Sequence, residues 1–155
     1  MMRLSIAAAL ALTAASSLPA QTASAIADLS TATPVGGNWS WAQTADGSEA
    51  TFTDAYSRAQ LTVHCARATR RVLIAKAASA AAPFLSVWTS SQTRNLPASF
   101  NPATGKLSAE LAAFDSLLDA IASSRGRIGV SVSGSAALVV PPWAEIARAV
   151  EDCRV

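Results

Sequence analysis

Apolar and polar positions alternate along much of this chain. Leu61, Val63 and Cys65 are separated by Thr62 and His64, and Ile128, Val130 and Val132 by Gly129 and Ser131. A period of two sends successive side chains to opposite faces, so these runs predict half-buried strands over 59–65 and 127–133. Trp39 and Trp41 flank Ser40 in the same way and predict a strand with both indoles on one side. Asp46-Gly47 is a hairpin signal that returns the chain along 49–53. Further strands are expected over 71–76, 84–89, 106–110 and 137–140, the last two runs of the series being short. Residues 54–57 and the basic run 67–71 read as turns, and 134–135 as the turn of a second hairpin. Residues 77–82 fit either a loop or a short helix. Residues 90–105 read as irregular, because Pro97, Pro102 and Gly105 interrupt regular structure.

Two segments change period. Phe114, Leu117, Leu118 and Ile121 recur at i, i+3, i+4 and i+7, the spacing of one helical face. Arg125 suits the negative end of that helix and Gly126 is placed to stop it. Trp143, Ile146, Val150 and Cys153 form a second stripe, with Pro142 suited to the first turn. Strands, a helix, a hairpin and a last helix, without βαβ alternation, predict an α+β domain. Its expected form is a mainly antiparallel β-sheet or sandwich with two packed helices, the last one C-terminal and disulfide-tethered.

The start of the chain has a different character. Met1-Met2-Arg3 is a short positive opening, residues 4–16 carry no charge, and Ala23-Ser24-Ala25 has the small-x-small form of a signal-peptidase site. A signal peptide over 1–25, cleaved after Ala25, is expected, with export to the periplasm or beyond. Residues 26–37, rich in Ala, Thr and Gly, read as a flexible leader, and 38–155 as a single globular domain. The roughly 130 residues from Ile26 onward suffice for one core, and no later apolar run reaches the ~18 residues of a membrane span. The 12 Lys and Arg lose only Arg3 with the signal peptide, against 10 Asp and Glu. That near balance argues against nucleic acid or an anionic membrane as the main partner.

Cys65 and Cys153 are the only two cysteines. In an exported chain they imply one disulfide. Both lie on the apolar side of their predicted elements, so the bridge would pin the last helix to the sheet. Closing a loop of about 89 residues is worth ~4–5 kcal/mol in the chain-entropy model. There is no Cys-x-x-Cys to suggest a redox pair.

Candidate chemistry is sparse. His64 is the single histidine, and on a strand it points away from Cys65, so the two do not form a nucleophile–base dyad. Asp115 and Asp119 stand one helical turn apart, a spacing that suits a cation or an acid–base pair, but they lie off the apolar stripe and a solvated face is the plainer reading. Arg67, Arg70 and Arg71 form the densest charge cluster, and Arg125 with Arg127 a second. Either suits a carboxylate, a phosphate or an acidic partner surface, against capping or pairing with Glu151 or Asp152. Trp39 and Trp41 suit a contact platform as well as a core, whereas Trp143 is expected in the core beside Cys153. No Gly-x-Ser-x-Gly, no Ser-x-x-Lys with supporting partners and no phosphate-binding glycine loop occurs. No catalytic residue, metal or cofactor is therefore expected.

The order of these features resembles a known layout. A leading Trp, a strand ending in Cys65, the stretch Phe114-Asp115-Ser116-Leu117-Leu118, the hairpin at Gly134 and an apolar helix ending in Cys153 are similar to small exported bacterial proteins of the invasion-associated locus B type and to type VI secretion accessory proteins. Ser124-Arg125-Gly126-Arg127, Pro142-Trp143-Ala144-Glu145-Ile146 and Glu151-Asp152-Cys153-Arg154 resemble exported, uncharacterised α-proteobacterial envelope proteins. The resemblance implies a non-catalytic envelope protein that contacts another envelope protein. Ser133-Gly134-Ser135 with the later Trp143 is faintly similar to periplasmic C-type lysozyme inhibitors, which implies inhibition of a cell-wall hydrolase as the alternative. A small hydrolase using Asp115 and Asp119 is the third expectation.

Overall fold

The alternating runs pair into two antiparallel sheets. A computed structural model describes residues 28–155. The first sheet has six strands: β1 (Gly37–Gln43), β2 (Gly47–Asp54), β3 (Ala59–Ala66), β4 (Arg71–Ala77), then, later in the chain, β7 (Ser99–Asn101) and β8 (Lys106–Ala112), in the spatial order β1-β2-β3-β4-β8-β7. The second has four: β5 (Phe84–Trp88), β6 (Thr93–Pro97), β9 (Ile128–Val132) and β10 (Leu138–Val140), in the order β10-β9-β5-β6. Two helices complete the fold, α1 (Ser116–Ala122) and α2 (Ala144–Asp152).

One face of the six-stranded sheet supplies most of the core. Cross-strand neighbours share a face, so register alone assembles the rows. Trp39, Phe52 and Leu61 form one, and Ala50, Val63, Ile74 and Ala109 the next. All seven are buried. Helix α2 lies over β1, β2 and β3, while β5 and β6 lie against β8, so the helix and the second sheet cover the two halves of the same face. Both sheets and both helices contribute to one hydrophobic cluster.

The disulfide joins these layers. Cys65 of β3 is bonded to Cys153 at the end of α2, with Cα atoms 5.4 Å apart and neither side chain exposed. The tethered C-terminal helix expected from the two apolar stripes is therefore present.

Several local expectations are corrected. Residues 90–105 contain β6 and β7, two strands rather than an irregular stretch. Both are sheet edges, and Pro97 sits at the last position of an edge strand, where a missing N–H breaks no interior ladder. The expected short strand 106–110 is instead the seven-residue β8, bonded on both sides. Ala77 ends β4, and residues 78–82 form a loop. Phe114 does not join the α1 stripe: it precedes the N-cap Asp115 and is 66% exposed. The helix ends at the C-cap Ser123, before Gly126, and no basic residue occupies its last turn, so Arg125 does not serve its dipole. Gly126 turns the chain at φ 76°. Trp143 is the N-cap residue of α2 and is 42% exposed, not part of the core. The N-cap position precedes the first helical turn, so it falls off the stripe that Ile146, Val150 and Cys153 share.

The expected signal peptide lies outside the described residues. The later part of the expected loose leader is tied down. Val35 N–H donates to Val139 O (2.8 Å), and Arg127 donates to the Leu29 and Ser30 carbonyls. Leu29 lies so close over Gly129 that a Cβ there would sit 2.1 Å from its Cδ1. The glycine that interrupts the β9 pattern thus makes room for a chain crossing the second sheet.

Candidate functional site

The other face of the six-stranded sheet is built from the intervening positions. Ala42, Glu49, His64, Leu73 and Glu110 form one row, and Ser40, Thr51, Thr62, Ala75, Ser108 and Ser99 the next. The first row is half-buried or exposed, and the second is mostly hydroxyl side chains. A depression of about 340 Å³ opens on this face. Leu73 and Ala75 contribute apolar surface, and His64, Glu49, Lys106 and Asn101 contribute polar groups.

His64 lies between two carboxylates there. Its Nε2 lies 3.1 Å from Asp46 Oδ2 and its Nδ1 3.8 Å from Glu49 Oε2. Asp46 occupies the β1–β2 hairpin, where the Thr44 hydroxyl donates to it at 2.9 Å. That hydroxyl, and then His64, hold the Asp46 carboxyl below the usual carboxylate range. Thr51 Oγ1 donates to Glu49 at 2.9 Å. Gly47 fixes the hairpin against β3, since a Cβ there would lie 2.0 Å from the Cys65 carbonyl oxygen. Arg67 N–H donates to Asp46 O at 2.9 Å on the same side. Cys65 faces inward to its disulfide, opposite to His64, as strand alternation requires.

The two arginine clusters do not converge. Arg67 Nε donates to the Asp152 carbonyl at the end of α2 (3.4 Å), Arg71 pairs with Glu110 (3.3 Å), and Arg70 takes the left-handed backbone at φ 51° while its carbonyl accepts from Ala113. Arg127 is used on the N-terminal segment, and the Arg125 N–H donates to Ser90 Oγ at 2.9 Å. The Arg67, Arg71 and Arg127 guanidinium groups go to separate neighbours, so these three do not share one anion pocket.

The indoles stitch β1 to the last helix. Trp39 is 6% exposed, packs on Phe52 and donates from Nε1 to Pro141 O at 2.8 Å. Trp41 donates to Asp152 Oδ2 at 3.1 Å, with the Arg148 guanidinium 3.4 Å over its ring. Both lie on one side, as their spacing predicts, but that side is the core side. Trp39 is spent in the core, and Trp41 stays half-buried against α2.

Asp115 and Asp119 part company as well. Asp115 caps α1 by accepting from Leu117 N–H (2.8 Å) and binds Arg94 through both oxygens. The Arg94 guanidinium holds its carboxyl below the ordinary value, against the opposing effect of burial. Asp119 pairs with Arg154 at 2.7 Å. A carboxylate used as a cap and bound by an arginine does not act with its neighbour as an acid–base pair.

Sequence reading passed over Arg154, whose guanidinium reaches Asp119, Glu151 and the Ala113 carbonyl. It also passed over Arg94 and Lys106, none of which stands in a motif. Among the described residues no group of three His, Cys, Asp or Glu side chains is placed to hold a metal, and no helix is long and apolar enough to cross a membrane. Comparison with protein-family models, with curated proteins and with solved structures finds no match.

Proposed function

We propose that this chain is an exported, non-catalytic accessory protein of the cell envelope that binds another envelope protein through the open face of its six-stranded sheet. The observation that supports this reading is the contrast between the faces. One is covered by α2 and the second sheet, while the other offers an apolar floor at Leu73 and Ala75 bordered by His64, Glu49 and Lys106. A concave apolar floor with a few fixed polar groups is the usual form of a binding surface. The exposed Arg70 and the Arg71–Glu110 pair stand at the margin of this face and extend the contact. The disulfide suits an oxidising compartment.

Leu73→Glu tests the face. It places a charge in the floor without touching the buried side of β4. Crosslinked capture of tagged protein from the periplasm of exporting cells should recover a stoichiometric partner with the wild type and lose it with Leu73→Glu. The double variant Arg70→Ala, Arg71→Ala should weaken capture. Retention of the partner by all the variants would sink the assignment.

A further inference from the structure

A lysine sits where the register calls for a core residue. Lys76 pairs with Leu61 on one side and Leu107 on the other, and both leucines are buried. Cross-strand partners share a face, so the Lys76 side chain leaves β4 on the core side. It lies at the end of the strand, is half-buried, and its Nζ donates to the Ala77 carbonyl at 3.2 Å. No carboxylate among the described residues pairs with it. Burial accordingly depresses its ammonium below the ordinary value, with no opposing charge to restore it.

This lysine lines a cleft of about 370 Å³ between the end of β4 with the loop that follows it and the β9–β10 turn. The rest of the lining is small or main chain: the alanines of the loop, Ser79, Val132 and the turn Ser133-Gly134-Ser135. Ser135 is occupied with the Val132 carbonyl (3.0 Å), whereas Ser79 and Ser133 are exposed. Lys76 is the one ionisable group in this lining.

We infer that the cleft binds a small monocarboxylate, with Lys76 as its counter-ion and the Ser79 and Ser133 hydroxyls as donors. A half-buried ammonium whose one hydrogen bond goes to a neutral carbonyl favours an anion, since charge pairing offsets the cost of its desolvation. One cation suits a single negative charge better than the double charge of a phosphate. The alanine and valine surface suits a short apolar stem. Such a ligand is either a free short-chain acid or the C-terminal residue of a peptide. This site is separate from the open sheet face, and its failure leaves that reading untouched.

Titration of ¹⁵N-labelled protein with N-acetyl-alanyl-alanine, its C-terminal amide, butyrate and inorganic phosphate tests the inference. At least one carboxylate should shift the Ser79 and Ser133–Ser135 amides saturably, and the amide should not. Tighter binding of the peptide acid assigns a peptide C-terminus, and equal or tighter binding of butyrate a free acid. Lys76→Gln should weaken binding at least tenfold. Ser79→Asp, which sets a carboxylate at the exposed rim and leaves the strand intact, should do the same. No saturable shift, equal binding of the amide, preference for phosphate, or affinity unchanged in both variants would overturn it.

Discussion

The two faces of the six-stranded sheet are made from the same strands and differ by one residue of register. The inner face carries Phe52, Val63, Ile74 and Leu107, each with almost no surface left in solvent. The outer face carries Thr51, His64, Leu73 and Ser108, which are half-buried or exposed, beside the buried Thr62 and Ala75. Stability is concentrated on the first. The second keeps most of its side chains in contact with solvent.

The largest expected effect comes from cutting the tether that seals the inner face. Reducing the Cys65–Cys153 bridge, or replacing both cysteines with serine, removes a crosslink worth ~4–5 kcal/mol, which corresponds to a fall in melting temperature on the order of 15 °C. Calorimetry with and without reductant checks it, and an unchanged curve after confirmed reduction would contradict the stapled-helix account.

Next in size is a comparison within β4. Ile74 and Leu73 are adjacent and face opposite ways. Ile74→Ala should cost ~2–5 kcal/mol, as core truncations do. Leu73→Ala should cost less than about 1 kcal/mol, because its site is half in solvent. Equal losses in urea unfolding would erase the distinction between the faces.

A smaller effect lies at α1. Asp115→Ala removes the cap and the Arg94 partner together, with an expected loss of ~1–2 kcal/mol. The pH dependence follows from the same carboxyl. Its folded value is depressed, so its contribution is present above the unfolded value near 4 and disappears as pH falls through the folded one. Asp54 behaves alike. Burial opposes its ionisation, yet the Arg58 backbone and guanidinium, the Tyr56 N–H and Gln60 hold it down to about 2. Wild-type stability should therefore decline from pH 4 towards pH 2, and the Asp115→Ala variant should decline less. A parallel decline in both would remove Asp115 from the account.

The smallest effect concerns the margin of the open face. Arg70→Ala with Arg71→Ala should shift stability by no more than about 0.5 kcal/mol, since the Arg71–Glu110 pair is exposed on both sides. A larger loss in thermal unfolding would mean that the turn is structural rather than a contact surface.

Much of this contrast was legible in the sequence. The alternation around Cys65 placed its sulfur inward and His64 outward, and the Ile146–Val150–Cys153 stripe placed the second sulfur on the sheet side of its helix. The edge strands β6 and β7 were not legible, because short edge segments bordered by Pro97 and Pro102 carry no interior ladder to impose a pattern. The use of Trp41 against Asp152 and Arg148, and of Arg154 against Asp119, was hidden for another reason. Those partners lie far apart in the sequence or in different elements, and no local spacing records them.

The sequence by itself determined the α+β class, the pairing of the two cysteines and the side of each alternating strand on which the apolar groups fall. Those are properties of a period of two or of 3.6, and a period is local. Only the tertiary structure decided which sheet face is covered, where Lys76 ends up and which carboxylates are already engaged. The mixed run Val72-Leu73-Ile74-Ala75 shows why. Read alone it offers two apolar faces, and β4 acquires an inside only when Val63 of β3 and Ala109 of β8 come to lie on either side of Ile74.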